Sequence, residues 1–85
     1  MADDVLFNKA AAIERAVGRV REEHASDDRN LLENQTRQDA IILNLQRACE
    51  TSIDAAMHLV RVHRLGIPQE TREAFELLLT AGLID

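Results

Sequence analysis

The sequence predicts an all-α fold, an up-and-down antiparallel bundle of helices. Helix-favouring residues such as Leu, Ala, Glu, Arg and Gln dominate the 85 residues, whereas Gly and Pro are scarce, and Gly66, Pro68 and Gly82 stand where elements should end. Apolar residues also recur at spacings of three and four along two long stretches, which is the period of an amphipathic helix. A chain of this length is typical of one small domain, so we expect a single helical domain over residues 1–85.

The first helix is predicted over about residues 3–24. Its apolar stripe consists of Leu6, Ala10, Ile13, Val17 and Val20. Asp3 or Asp4 can cap the N-terminus, where a carboxylate also complements the helix dipole. Gly18 lowers helix propensity, so we expect it to mark a close contact with a neighbouring helix.

The second helix is predicted over about residues 36–65, a stretch without Gly or Pro. Thr36 and Asp39 resemble a capping box, and Gly66 stands where a C-terminal cap belongs. The face expected in the core holds Ile41, Leu45, Cys49, Ala56, Leu59 and Val60. A helix of about 30 residues is about 45 Å long, so it needs packing partners along its whole length.

A third helix is predicted over about residues 70–81, after Pro68. Its apolar side consists of Phe75, Leu78 and Leu79. Two further helices give little cover to one as long as the second. We therefore expect the bundle to be incomplete in this chain and to be completed by oligomerisation.

Composition and charge exclude several classes of function. The net charge is −5 and no basic run exists, so strong phosphate-driven binding of nucleic acid by this chain alone is not expected. The absence of Tyr and Trp excludes base-stacking RNA modules, and the single cysteine excludes a disulfide framework or a Cys-rich zinc site. The apolar runs are too short to span a membrane, and Met-Ala-Asp-Asp does not open a signal peptide. We therefore expect a cytoplasmic protein without membrane contact.

Candidate functional side chains cluster on the polar face of the second helix. Asp54 and His58 are four residues apart and Arg61 follows one turn later, a row that can orient an imidazole for acid–base work. A solvated ladder of side chains is the commoner role of such a row, and a surface facing a partner subunit is favoured over catalysis. No phosphate-binding loop or nucleophile motif is evident, so we predict no catalytic, cofactor or metal site.

Two other histidine patterns are interpreted as structural. Arg19 and His24 have an Arg-x4-His spacing that some ribonucleases use, but five helical residues turn about 500°, so the two side chains diverge by about 140°. His63 lies near the end of the second helix, five residues from His58, which is not the spacing of a two-His zinc motif. Cys49 is expected to be a small buried apolar residue.

Two stretches resemble the HepT family of the HEPN superfamily of helical ribonucleases. They are residues 36–60, TRQDAIILNLQRACETSIDAAMHLV, and residues 65–85, LGIPQETREAFELLLTAGLID. The resemblance implies a dimeric helical bundle and a bacterial or archaeal toxin–antitoxin system, in which the antitoxin is a minimal nucleotidyltransferase of the MntA type. It also implies a metal-independent endoribonuclease without a cofactor, whose full-length members act on RNA.

The family's active site is an Arg-x4-His-x-Tyr motif on a late helix, and this sequence contains no Tyr. No catalytic residue is therefore carried over. Asp39, Asn44, Arg47, Asp54 and His58 match the family's polar pattern, and together with Arg61 they are the candidate polar-face or partner contacts. We expect an N-terminal portion of a HepT-like toxin, truncated before the catalytic helix and inactive by itself. The alternatives are a non-catalytic binding subunit for a small nucleotidyltransferase and a self-assembling helical module.

Overall fold

The computed structural model describes residues 3–85, which form helices and, within that range, no β-strand. In chain order the helices are α1 (Asp4–His24), α2 (Arg29–Leu32), α3 (Gln35–Val62) and α4 (Thr71–Thr80). The predicted all-α class is confirmed. The short helix α2 lies in a segment that has too little apolar pattern to predict. Residues 1 and 2, on which the prediction of no signal peptide partly depends, lie outside the described residues.

Helix α1 begins where a side chain caps it. The Asp3 carboxylate accepts a hydrogen bond from the Leu6 N–H at 3.0 Å, which confirms Asp3 as the N-cap. The prediction for Gly18 is wrong, because a Cβ added there would meet no atom within 4 Å. The α1 residue that is buried is Ala16.

Helix α3 begins and ends before the predicted capping residues. Its N-cap is Asn34, whose side chain accepts a hydrogen bond from the Arg37 N–H at 3.1 Å, so the capping box proposed for Thr36 is wrong. Asn34 takes this role because its own backbone is extended, which places Thr36 inside the first turn. At the other end the chain leaves the helix after Val62, because Arg64 adopts a left-handed conformation (φ 52°) ahead of Gly66.

Helices α1 and α3 pack side by side in opposite directions. At one end the Arg37 guanidinium donates to the Glu23 carbonyl at 3.1 Å, and at the other end His58 pairs with Asp3. The 28 residues of α3 span about 42 Å. This length accounts for most of the 45 Å long axis of the molecule.

A cluster of buried apolar residues lies where α4 crosses the C-terminal half of α3. It consists of Ala56 and Val60 from α3 with Ala74 and Leu78 from α4, whereas Ala16 and Ile41 are buried outside it. Two of the residues in this cluster are alanines, one on each helix, so the two backbones can approach closely. Leu78 and Val60 are the largest fully buried side chains of the described residues.

The apolar face predicted for α3 is only partly buried. Ile41, Ala56 and Val60 are buried as predicted, but Leu45 is 48% exposed and Cys49 is exposed as well, so their assignment to the core is wrong. The reason is the length of α4, whose 10 residues cover about 15 Å of a helix almost three times as long.

The apolar side predicted for α4 also needs correction. Leu78 is buried, whereas Phe75 and Leu79 are exposed. The buried position beside Leu78 is Ala74, because the close approach to α3 is made by small side chains. Among residues 3–85, no helix combines the length and the apolar character that crossing a membrane requires.

Candidate functional site at the seam between α1 and α3

A groove that we call the polar seam follows one side of the α1–α3 pair. On α3 its lining includes the polar residues Asn44, Arg47, Thr51, Asp54, His58 and Arg61. These positions alternate between spacings of three and four, so they form one stripe along the helix. On α1 the lining includes Val5, Asn8, Lys9, Ala12, Arg15 and Arg19.

The polar seam consists of three adjoining depressions. They have cavity volumes of about 310, 370 and 550 Å³. Ala12 and Thr51 line both the first and the second, and Val5 and Lys9 line both the second and the third. Because neighbouring depressions share walls, the three form one continuous surface.

At one end of the polar seam a histidine ring lies within hydrogen-bond distance of a carboxylate. The His58 Nε2 lies 2.7 Å from the Asp3 Oδ2, a contact between residues 55 positions apart. The pKa of the Asp3 carboxyl is lowered, first by the hydrogen bond from the Leu6 N–H and then by the one from His58. The ionised Asp3 therefore ties the start of α1 to the last turns of α3.

Asp54 and His58, four residues apart in the predicted row, do not pair with each other. His58 is partly buried, with 16% of its side chain exposed, and its imidazole pairs with Asp3 rather than with Asp54. The antiparallel packing of α1 places the N-terminal carboxylate opposite this turn of α3, and Asp3 is held there by its capping bond. Asp54 is exposed and, among residues 3–85, takes part in no ion pair.

The arrangement around His58 can hold an anion beside an oriented imidazole. Asp3 fixes one ring nitrogen, which sets the orientation of the ring. Lys9 and Arg61 line the same depression and carry positive charge. A phosphate or carboxylate group is the kind of ligand that such donors bind.

The other predicted polar-face residues fall in three environments. Arg47 is exposed within the polar seam, and Asp39 is exposed near the start of α3, where it accepts a hydrogen bond from the Gln35 side chain at 2.8 Å. Asn44, by contrast, is buried. Its side chain turns back to donate to the Ala40 carbonyl at 2.8 Å, which satisfies the amide within its own helix.

The Arg19 and His24 side chains have separate partners. The Arg19 guanidinium contacts the carboxylates of Glu22 at 2.6 Å and Glu23 at 3.0 Å, and the bond to Glu22 is the main reason that its pKa is raised. His24 instead pairs with Asp28 at 2.8 Å. The Arg-x4-His spacing on α1 therefore does not bring a cation and an imidazole together.

Sequence reasoning missed the contribution of α1 to the polar seam. Lys9 and Arg15 were not singled out, although Lys9, Ala12, Arg15 and Arg19 recur at spacings of three and four. That pattern could have identified a polar stripe next to the apolar one. The contact between His58 and Asp3 has no such local signal. Within residues 3–85, no group of three His, Cys, Asp or Glu side chains could hold a metal ion.

The chain is similar to a family of toxins. The family model described as ribonuclease HepT-like matches residues 13–85. The mRNA nuclease HepT of Shewanella oneidensis is 43% identical over 82 residues, which make up 96% of this chain and 61% of that protein. Thus the chain spans only part of the length of this relative.

Solved structures give the same result. A tri-AMPylated Shewanella oneidensis HEPN toxin in complex with MNT antitoxin matches with a TM-score of 0.89 and 42% identity, over 98% of this chain and 62% of that chain. A mutant of a toxin–antitoxin pair named MntA-HpeT matches with a TM-score of 0.90 and 41% identity, over 98% and 64% of the two chains. The chain therefore belongs to the ribonuclease HepT-like family.

Proposed function

We propose that this chain provides the helical scaffold of a HepT-like ribonuclease toxin, and that its antitoxin is a nucleotidyltransferase of the MntA type. The observation that carries the proposal is the match of residues 13–85 to the family model. The 43% identity to an mRNA nuclease supports RNA as the substrate of the whole protein. A cytoplasmic location belongs to the same proposal, since messenger RNA is found there.

We further propose that these residues do not cleave RNA by themselves. The sequence contains no Tyr and therefore no Arg-x4-His-x-Tyr motif. The remaining candidate acid–base group is His58, and its Nε2 is engaged by a carboxylate that also caps α1. A histidine used in this way stabilises the contact between two helices.

A cleavage assay tests this part of the proposal. The purified chain is incubated with RNA in EDTA, and we expect no cleavage above the background of a mock purification. His58→Ala and His63→Ala are assayed in parallel, because His63 is an exposed histidine outside the polar seam. EDTA-resistant cleavage that His58→Ala abolishes and His63→Ala retains would make His58 catalytic and contradict the proposal.

Binding to the antitoxin distinguishes the second candidate function, a non-catalytic binding subunit for a small nucleotidyltransferase. The exposed apolar side chains of Ile42 and Leu45 on α3 favour a protein partner of some kind. We expect an MntA-type nucleotidyltransferase to be retained by the immobilised chain, and an unrelated nucleotidyltransferase to pass through. Failure to retain it would remove the binding-subunit function and leave the toxin scaffold without its proposed partner.

Homo-oligomerisation, as a dimer or a higher assembly, is the remaining part of the proposal. An apolar stripe that consists of Ile42, Leu45 and Cys49 runs along the N-terminal half of α3 and is exposed. Covering large apolar side chains with a second copy stabilises an assembly by about 1.5–3 kcal/mol for each one that becomes fully buried.

The thiol of Cys49 reports directly on this stripe. In dilute solution we expect rapid labelling of Cys49 by a thiol reagent without denaturant, since the side chain is exposed. In concentrated solution the second copy should slow the labelling. A rate constant that is independent of protein concentration would contradict oligomerisation through this stripe.

A further inference from the structure

Positive charge is concentrated in the polar seam although the chain as a whole is acidic. The net charge is −5, yet the seam lining contains Lys9, Arg15, Arg19, Arg47 and Arg61, which are half of the 10 lysines and arginines in the chain. Among the seam-lining residues named above Asp54 is the only acidic one, and the Asp3 carboxylate lies against His58 at one end of the seam. The antiparallel packing of α1 and α3 therefore builds a basic surface that no run in the sequence reveals.

Most of these cations are not neutralised by a neighbouring carboxylate. Among residues 3–85, Lys9, Arg15, Arg47 and Arg61 take part in no salt bridge. Arg19 pairs with Glu22 and Glu23, so it contributes less positive charge to the seam than the other four cations. Four cations are thus available to an anionic ligand.

The cations are spread along the seam rather than gathered at one point. Arg47 and Arg61 are separated by about 21 Å along α3, and Lys9 and Arg19 by about 15 Å along α1. A single phosphate or carboxylate is too small to meet charges so far apart. An extended polyanion, with charges repeated along its length, can contact all of them.

The walls between the cations favour a nucleic-acid backbone over a protein. Around Arg15 and Arg47 the seam is lined by the small residues Ala12, Ala16 and Thr51. Larger apolar side chains, those of Met57 and Val62, line the depression beside His58, and none of the seam-lining residues is aromatic. A protein interface usually anchors large apolar or aromatic side chains in pockets, and a base-reading site stacks bases on aromatic rings. The lining around Arg15 and Arg47 offers neither a large apolar anchor nor an aromatic ring, so contacts to phosphates remain there.

We infer that the polar seam binds the sugar–phosphate backbone of single-stranded RNA without sequence preference. The inference rests on the proposed function for the choice of RNA, whereas the charge pattern itself fits any single-stranded polyphosphate. Arg15 and Arg47, which face each other across the same depression, should make the central contacts. The seam would then hold RNA on the scaffold helices, apart from any residue that cleaves it.

The number of available cations predicts how strongly RNA binding should depend on salt concentration. Each phosphate neutralised on a single strand contributes about −0.7 to the slope of log K against log salt concentration. Four available cations predict a slope of about −3 at most. Replacing both central arginines should bring the slope closer to zero by about 1.4.

The test is a fluorescence anisotropy titration of a short, unstructured, labelled RNA with the whole chain. The variant is Arg15→Gln with Arg47→Gln, and we expect it to weaken binding about tenfold at low salt. The matched control is Arg64→Gln with Arg72→Gln, which removes the same charge from exposed positions outside the seam and should leave the affinity within about twofold. Circular dichroism is used to check that both double variants are folded.

Three results would overturn the inference. They are an affinity that the seam and control variants lower equally, binding that does not change with salt, and a seam variant that loses the nucleotidyltransferase but keeps RNA. The last would make the seam a protein interface. Single-stranded DNA of the same length should bind comparably, and its exclusion would be a fourth contradicting result, because both polymers present the same phosphates. Because binding is measured without cleavage, a seam that binds RNA in a chain that ignores the antitoxin would refute only the proposed function.

Discussion

The two halves of α3 present the same face to different surroundings. Ile42 and Val60 are about five helical turns apart and therefore point in the same direction. Val60 is 1% exposed beneath α4, whereas Ile42 is 46% exposed because α4 does not reach it. The periodicity of a helix thus determines which face is apolar, while the length of its neighbours determines how much of that face becomes core.

The largest difference in the free energy of unfolding is expected between two leucine truncations, one where α4 covers α3 and one where α4 does not reach it. Leu78→Ala should lower the free energy of unfolding by about 2–5 kcal/mol, because Leu78 is fully buried against Ala56, Val60 and Ala74. Leu45→Ala should change it by about 0.5 kcal/mol or less in dilute solution, since Leu45 is exposed. Chemical denaturation of the two variants measures both values. Equal losses would mean that the two halves of α3 contribute equally to the core.

A smaller effect of opposite sign is expected on α1. Gly18→Ala should raise the free energy of unfolding by about 0.5–1 kcal/mol, because alanine has the higher helix propensity and a Cβ at this position meets nothing within 4 Å. Thermal denaturation monitored by circular dichroism measures the change. A loss of stability would show that Gly18 lies against another chain, which would move the assembly surface from α3 to α1.

The smallest effect on stability is expected from breaking the contact between Asp3 at the start of α1 and His58 in the C-terminal half of α3. Asp3→Asn keeps a capping side chain but removes the carboxylate that pairs with His58, so the melting temperature at neutral pH should fall slightly. The pKa of Asp3 is lowered below its usual 3.8 in the folded chain. The stabilisation is therefore complete above about pH 3.8 and is lost as the pH falls through the lowered pKa.

Melting temperatures of Asp3→Asn and the unchanged chain should accordingly converge in acid. Measurements from neutral pH down to below pH 3.8 follow this convergence. Asp4→Asn, on the neighbouring exposed carboxylate, serves as the control. A difference for Asp3→Asn that persists unchanged in acid would exclude the ionised carboxylate as its origin.

Local signals predicted the helices of this fold well and its burial less well. The apolar spacing and the cap at Asp3 are properties of adjacent residues, so α1 could be placed from the sequence. The exposure of Leu45 and Cys49 depends on where α4 ends relative to α3, which no local pattern encodes. A propensity argument alone also misjudged Gly18, because helix contact is decided by neighbours in space.

The candidate site was also predictable only in part: residues close together in the sequence could be identified, whereas contacts between distant residues could not. The stripe from Arg47 to Arg61 is visible as helical spacing, and the family resemblance drew attention to most of it. The partner of His58 lies 55 positions away at the start of α1, so it could be found only from the packing. Net charge was similarly misleading, because the acidic groups that make the chain negative lie mostly outside the polar seam.

Sedimentation equilibrium of the unchanged chain and of Leu45→Glu tests most directly whether the uncovered half of α3 is an assembly surface. For the unchanged chain we expect a mass above that of the 9.5 kDa monomer, rising with concentration. For Leu45→Glu we expect a monomer of unchanged helicity, because a carboxylate in the apolar stripe opposes burial without disturbing the core. A monomer for both chains at every concentration, or an oligomer that Leu45→Glu leaves intact, would show that this half of α3 is not an assembly surface.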